Sequence, residues 1–284
     1  MIQVKAPNEI SIMASGGRIL AEVLGEVLEY VKPGVSELEL DGLAEKLIRE
    51  KGAKPGFKRV KGYKHTICVS TNDVVVHGIP TRYKFKEGDI IGIDCGVYYK
   101  GFNTDAAHTV RVQKSTHSTS SGLSSTLSAQ TEGMLSEVEA SKVKSQKKKD
   151  EIDRFLDAGE KALEEAIKVA KVGNRVGHIS KKIQDIIEGA RYSVVRSLVG
   201  HGVGRSLHEE PEVPGFLARK IEDTPKLRIG MTIAIEAIYN MGKADVAYSN
   251  DDGWTIKTKD GNLSGLFERT IAITKSGTMV LTKI

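Results

Sequence analysis

The sequence predicts a mixed helix-and-strand fold of two related halves that face each other across one site. Two observations carry this. Helix-spaced segments followed by strand-like ones occur twice along the chain. The halves also share a local pattern. Lys32-Pro-Gly34, followed by a helix containing Leu40, Leu47 and Ile48, matches Lys171-Val-Gly173, followed by a helix containing Ile179, Ile186 and Ile187. Likewise Gly88-Asp-Ile-Ile-Gly-Ile-Asp94 matches Gly230-Met-Thr-Ile-Ala-Ile-Glu236: glycine opens an apolar strand, and a carboxylate stands six residues on. Chance likeness between two helix-plus-strand units is the alternative, and the Asp94/Glu236 match weighs against it.

The elements follow in order. Ile10, Met13, Ile19, Leu20, Val23, Leu24 and Val27 recur every three or four residues and predict a first helix. Lys32-Pro33-Gly34 ends it. Ser36 with Glu39 three residues on reads as a capping box, opening a second helix to about Lys51, before Gly52. Thr66–Val76 is β-branched and apolar, with a turn at Thr71-Asn72-Asp73. A turn at Lys86–Asp89 leads to a strand at Ile90–Tyr99, a turn at Lys100-Gly101 and a strand at Phe102–Val112. Helices at Ile152–Val169 and Val176–Ile187 come next. Strands are then expected at Ser193–Val199, Met231–Tyr239, Trp254–Thr258 and Leu266–Thr274.

Residues 115–149 read as a flexible surface insertion in a single catalytic domain spanning 1–284. Of the 31 residues 115–145, 14 are Ser or Thr, too polar a stretch to bury the surface that would offset its ordering entropy. A short helix is expected near Thr131–Ala140.

Composition excludes several classes. Hydrophobic residues make up 39% and charged residues 28%, as in soluble enzymes. No apolar run reaches the length of a membrane span. MIQVKAPNEI lacks the apolar core of a secretory signal, so a cytoplasmic setting is expected. Cys68 and Cys95 are not in a CxxC pattern and are expected to be free thiols. The net charge of +5 is spread along the chain, and its densest run, Lys147–Lys149, sits beside Asp150 and Glu151. That argues against a specific nucleic-acid site, though mild basicity suits work at an RNA-rich surface such as the ribosome.

The chemistry begins with carboxylates in the wrong places. Asp94 lies in the apolar strand Ile90–Val97, where an isolated charge is costly. A hairpin at Lys100-Gly101 brings Asp105 beside it. Such a pair shares a proton or is compensated by a cation. Glu236 and Glu268 pose the same puzzle in Ile233–Tyr239 and Leu266–Ile273. Arg269 should face away from Glu268. In Gly200-His-Gly-Val-Gly-Arg-Ser-Leu-His-Glu-Glu-Pro211 no helix signal follows the glycines, so this is no dinucleotide fingerprint. Nor is it an HExxH zinc helix, since Glu212 replaces the second His and Pro211 opposes a helix. The glycines instead allow a tight path that exposes His201 and His208. Four carboxylates and an imidazole suit Mn, Fe, Co or Zn. Two such ions can hold a bridging hydroxide, polarise a carbonyl and bind a free α-amine, which would direct the chemistry to N-termini.

Together, Asn72–Pro80, Gly92-Ile-Asp94 through Thr104-Asp105, Gly200–Gly204, Leu207–Pro211, Asp252-Gly-Trp-Thr255 and Phe267-Glu268 resemble type I methionine aminopeptidases. The resemblance spans nearly the whole chain apart from the insertion. It implies the α+β "pita-bread" fold, a curved antiparallel sheet of two pseudo-symmetric halves backed by helices. It implies Asp94, Asp105, His201, Glu236 and Glu268 as ligands of two divalent ions (Co, Mn, Fe or Zn), with Asp105 and Glu268 bridging. His77 and His208 would contact the substrate backbone, and Glu236 would also accept a proton from the attacking water. Tyr63, Cys68 and Trp254 would line the methionine pocket. The implied partners are nascent polypeptide N-termini, with a small second residue preferred. The family's usual Phe before the HEEP motif is Leu207 here, its Ser-Ala-Gln is Ser264-Gly-Leu266, and its His after the last Glu is Arg269. Without a zinc-finger extension, and with its insertion near the middle, the chain resembles the short type I form rather than type II. An X-Pro aminopeptidase on this fold usually carries a large extra N-terminal domain. An inactive binding protein on the fold would have lost ligands, and this chain keeps all five.

Overall fold

The computed structural model describes residues 2–113, 149–249 and 252–284. Apart from Lys149, the Ser/Thr-rich segment and the helix expected within it lie outside the described residues. Among those residues are four α-helices: α1 (Pro7–Glu29), α2 (Glu37–Glu50), α3 (Glu151–Val169) and α4 (Val176–Gly189). The strands are β1 (Lys54–Pro55), β2 (Ile67–Thr71), β3 (Val74–Val76), β4 (Ile90–Tyr99), β5 (Phe102–Arg111), β6 (Ser193–Val194) and β7 (Val199–Gly202). They continue with β8 (Glu209–Pro214), β9 (Thr232–Asn240), β10 (Val246–Tyr248), β11 (Ile256–Thr258), β12 (Ser264–Thr274) and β13 (Gly277–Val280).

Local chemistry sets the ends of these elements. Pro7 occupies the first turn of α1, where its missing N–H costs nothing, and the Glu9 carboxylate accepts the Ala6 N–H at 2.8 Å. The expected capping box opens α2: the Ser36 N–H donates to Glu39 Oε2 at 2.7 Å, and the Glu39 N–H to Ser36 Oγ at 3.3 Å.

The strands order as β1-β4-β5-β12-β9-β7-β8, with every neighbouring pair antiparallel. The expected internal repeat is visible in three dimensions. Gly88 and Gly230, with φ of +91° and +88°, each stand third in a turn, Lys86–Asp89 or Arg228–Met231, two residues before a central strand, β4 or β9. Both use the left-handed backbone that glycine alone adopts without steric cost. Single bridges, Ser36–Lys84 and Arg175–Lys226, stand at the starts of α2 and α4. α1 and α2 cover β4 and β5 through Leu20, Leu24, Leu40, Ile91 and Ile93. α3 and α4 cover β9 and β12 through Phe155, Leu163, Ile179, Ile235 and Phe267. The halves meet where β5 runs beside β12. Hydroxyls peg both ends of that seam: Thr270 Oγ1 accepts the Asp105 N–H at 2.9 Å, and Thr109 Oγ1 accepts the Leu266 N–H at 2.9 Å.

The helix–sheet contact is tight at Gly159. A Cβ there would lie 2.5 Å from Phe267 Cδ2 and from Tyr239 Cε1. Gly159→Ala is expected to cost about 1–3 kcal/mol, because overpacking outweighs the helix propensity gained. The check is the urea midpoint at unchanged m. An unshifted midpoint would mean that α3 simply moves away.

Candidate metal centre

Five consecutive strands, β4, β5, β12, β9 and β7, each carry one acidic or imidazole side chain to one face of the sheet. Register explains how. Asp94 pairs with Ala107, Ala107 with Glu268, and Glu268 with Glu236, so three carboxylates lie in one row across four strands. Two residues along, and so on the same face, Gly96 pairs with Asp105 and His201 pairs with Ala234. Small residues at 96, 107 and 234 leave the space between the acids open. Asp94 and Asp105 are therefore diagonal cross-strand neighbours, close to what the hairpin at Lys100-Gly101 predicted. Arg269, one residue from Glu268, points the other way as expected. Its guanidinium donates to the Ala107 and Glu268 carbonyls at 3.0 and 2.7 Å.

The acids lack the partners that would make them structural. Asp94 Oδ1, Asp105 Oδ1 and Glu268 Oε1 are buried without a hydrogen bond among the described residues. His201 Nε2 lies 3.6 Å from Glu236 Oε1 and 4.0 Å from Asp105 Oδ2. Ligand atoms of Asp105, His201 and Glu268 all fall within 4.8 Å of one another. The His201 Nδ1–H donates to the Gly202 carbonyl at 2.8 Å, which leaves Nε2 free to bind an ion. Burial drops the His201 pKa to about 4, so the ring is neutral at pH 7. These orphaned oxygens and this free imidazole nitrogen fit a divalent cation site.

Burial also pushes the acids up. Asp94 rises to about 7. Asp105 rises well above the carboxylate range through burial and the charges of Asp94 and Glu236. Glu236 and Glu268 rise for the same kind of reason. Without metal, these groups hold protons in the native state that the unfolded chain has already released. Native stability then falls as pH climbs from the ordinary carboxylate range toward the raised values. Below about pH 6.5 the buried histidines, His77, His108, His201 and His208, oppose this, because burial lowers their pKa values; above it, as pH rises toward about 8, the thermal midpoint of chelated protein is expected to drop, and added divalent ion to restore it. A chelated midpoint that rises across this range would contradict the charge account.

Beside the acids is a cavity of about 110 Å³ that includes Phe57, Val60, Tyr63, Cys68, Leu207 and Trp254 in its wall. Tyr63 meets Trp254 edge-on at 5.2 Å, and its hydroxyl donates to the Ile67 carbonyl at 2.8 Å. His77 and His208 also line this cavity, and the His201 and His208 rings are 4.4 Å apart. His77 sits at φ +55°. All ten residues singled out in the sequence thus converge on one place.

Residues 11–275 match metallopeptidase family M24. The chain belongs to that family. Over their whole lengths, this family member is 40% identical to a methionine aminopeptidase from Clostridium perfringens and 38% identical to methionine aminopeptidase 1 from Bacillus subtilis. The crystal structure of a methionine aminopeptidase from Thermotoga maritima superposes with a TM-score of 0.84 at 36% identity, covering all of both chains.

In this M24 chain three sequence expectations need correcting. His201 stands on strand β7 rather than in an exposed loop, because Gly200 and Gly202 let β7 lie close against β8 and β9. The strand expected at Ser193–Val199 is only β6 at Ser193–Val194; its next backbone bond, the Val195 N–H to the Ile238 carbonyl, extends it no further than that. Thr66–Val76 splits between sheets: β2 pairs with β4, but β3 pairs with β11. Short strands β8, β10 and β13 were not foreseen, since each has too little apolar alternation to signal itself. The thiols are free, as expected. Cys68 lines the site cavity while Cys95 joins the helix-side core, so they face opposite ways.

Sequence reasoning also missed Phe57 and Val60 in the cavity wall. They come from a short 3-10 turn at Phe57–Arg59. Their signal was two apolar residues amid Lys54, Lys58, Arg59 and Lys61, where no strand or helix calls for them. Leu266, where the family usually has Gln, packs with Val75, Val76, Ile238 and Ile256 in an apolar cluster.

Proposed function

We propose that the chain removes the N-terminal methionine from newly made polypeptides, with a small second residue preferred. The observation that carries this is the meeting of five candidate ligands from both halves at the mouth of one apolar cavity. The full-length relatives are methionine aminopeptidases, and members of family M24 are metallopeptidases.

Four carboxylates and one neutral imidazole balance two divalent cations. Asp94, Asp105, His201, Glu236 and Glu268 are the residues that would hold them. When bound, such ions supply Lewis acidity toward the scissile carbonyl and a nucleophilic water at neutral pH. The protein does the rest. The wall of Phe57, Val60, Tyr63, Cys68, Leu207 and Trp254 takes one unbranched apolar side chain and excludes water. Glu236 accepts the proton of the attacking water. His77 and His208, kept neutral by burial, hydrogen-bond the substrate backbone and steady the tetrahedral carbon's oxygen. Residues 1–284 act as one catalytic unit in this reading. Among the described residues no helix is long and apolar enough to cross a membrane. A cytoplasmic location and work near the ribosome are the setting we propose.

The test uses purified protein loaded with Co, Mn, Fe or Zn and offered Met-Ala-Ser and Ala-Pro-Ala peptides. Free methionine is expected. Alanine would instead assign an X-Pro enzyme, and no product with any of the ions an inactive binding protein.

A further inference from the structure

The segment before α1 reaches into the centre of the molecule. The Lys5 N–H donates to the Gly230 carbonyl at 2.7 Å. The Lys5 side chain is 3% exposed and its ammonium pairs with the Glu209 carboxylate, itself 6% exposed. A buried ion pair is a poor stabiliser, because desolvating two charges offsets most of their attraction, so its place needs another explanation. Glu209 directly follows His208. Its other oxygen accepts the Ser206 N–H at 3.0 Å, which fixes the loop that leads to His208. The Lys5 stem lies over Gly204, where a Cβ would come 2.3 Å from Lys5 Cε, so any side chain there would displace the lysine. From the opposite side the Asn103 N–H and side-chain amide hold the Gly204 carbonyl at 2.7 and 3.0 Å. Asn103 in turn sits two residues before Asp105. The loop between His201 and His208 is thus clamped between the N-terminal segment and β5.

We infer that Lys5 and Glu209 are positioning residues that set the His208 imidazole against the substrate backbone. This rests on the role proposed for His208. Neither residue is a proposed ligand, and neither is in the wall of the cavity around the methionine side chain. Its loss should lower kcat while leaving metal content and KM near their starting values.

The experiment is a mutant cycle on the full-length, metal-loaded protein with Met-Ala-Ser as substrate. Lys5→Met and Glu209→Gln are each made alone and together with His208→Ala. Each single change is expected to lower kcat by roughly tenfold to a hundredfold, the scale of a displaced catalytic group. In the His208→Ala background the same changes should cost nothing further, and Lys5→Arg should recover most of the wild-type rate. Equal losses in both backgrounds, an unchanged kcat, or loss of metal would overturn the inference. Should Lys5→Met fail to fold, Glu209→Gln, nearly the same shape and still able to accept from Ser206, carries the cycle. The wild-type rate in the same assay separates failure of this inference from failure of the activity itself.

Discussion

Asp105→Ala protein is expected to release no measurable methionine and to lose bound metal. The residue stands on β5, at the seam of the two halves, 4.0 Å from the His201 imidazole and diagonal to Asp94. Among the described residues its Oδ1 has no hydrogen-bond partner, so none of them replaces a cation as its counterweight. If the carboxylate is shared by both ions, its removal disturbs both at once. A loss of at least about 10³-fold in kcat/KM follows, which is about 4 kcal/mol of transition-state stabilisation. The same change should raise the thermal midpoint of the chelated protein, because it removes one of four mutually repelling acids. That pairing of lost activity with gained metal-free stability separates a cation site from a structural carboxylate. Near-normal turnover would refute the bridging role.

His208→Ala is expected to behave differently. The ring meets His201 at 4.4 Å but is not needed to complete the five proposed ligands. Its loss should leave metal content unchanged while kcat falls by about 10²-fold to 10³-fold, the usual cost of one donor to a developing oxyanion. Metal analysis and kinetics on the same preparation check this. If metal is lost along with activity, His208 is a ligand and the assignment of five changes.

Much of the site was legible beforehand, for a physical reason. Asp94, Asp105, Glu236 and Glu268 sit in apolar strands, where an ionised side chain is tolerated only with compensation, so their oddness is visible in one dimension. The capping box at Ser36 and the glycines at 88 and 230 are equally local, and the helix and strands they delimit were read to within a few residues. Phe57, Val60 and the Lys5–Glu209 pair were not legible. Each depends on contacts between residues far apart in the chain, with no periodicity to announce them. His201 was misplaced for the converse reason: its flanking glycines signal freedom locally, yet pairing with β8 and β9 makes that stretch a strand.

The sequence by itself singled out the residues proposed to carry the chemistry, because burying charge is costly wherever it happens and the pattern of residues records that cost. Only the tertiary structure decided how they meet. Strand register sets Asp94, Glu268 and Glu236 in one row, with Asp105 and His201 two residues along, and register depends on pairing between residues up to 163 apart in sequence. A shift of one residue in any of those pairings would turn a side chain to the helix-covered face and dismantle the site.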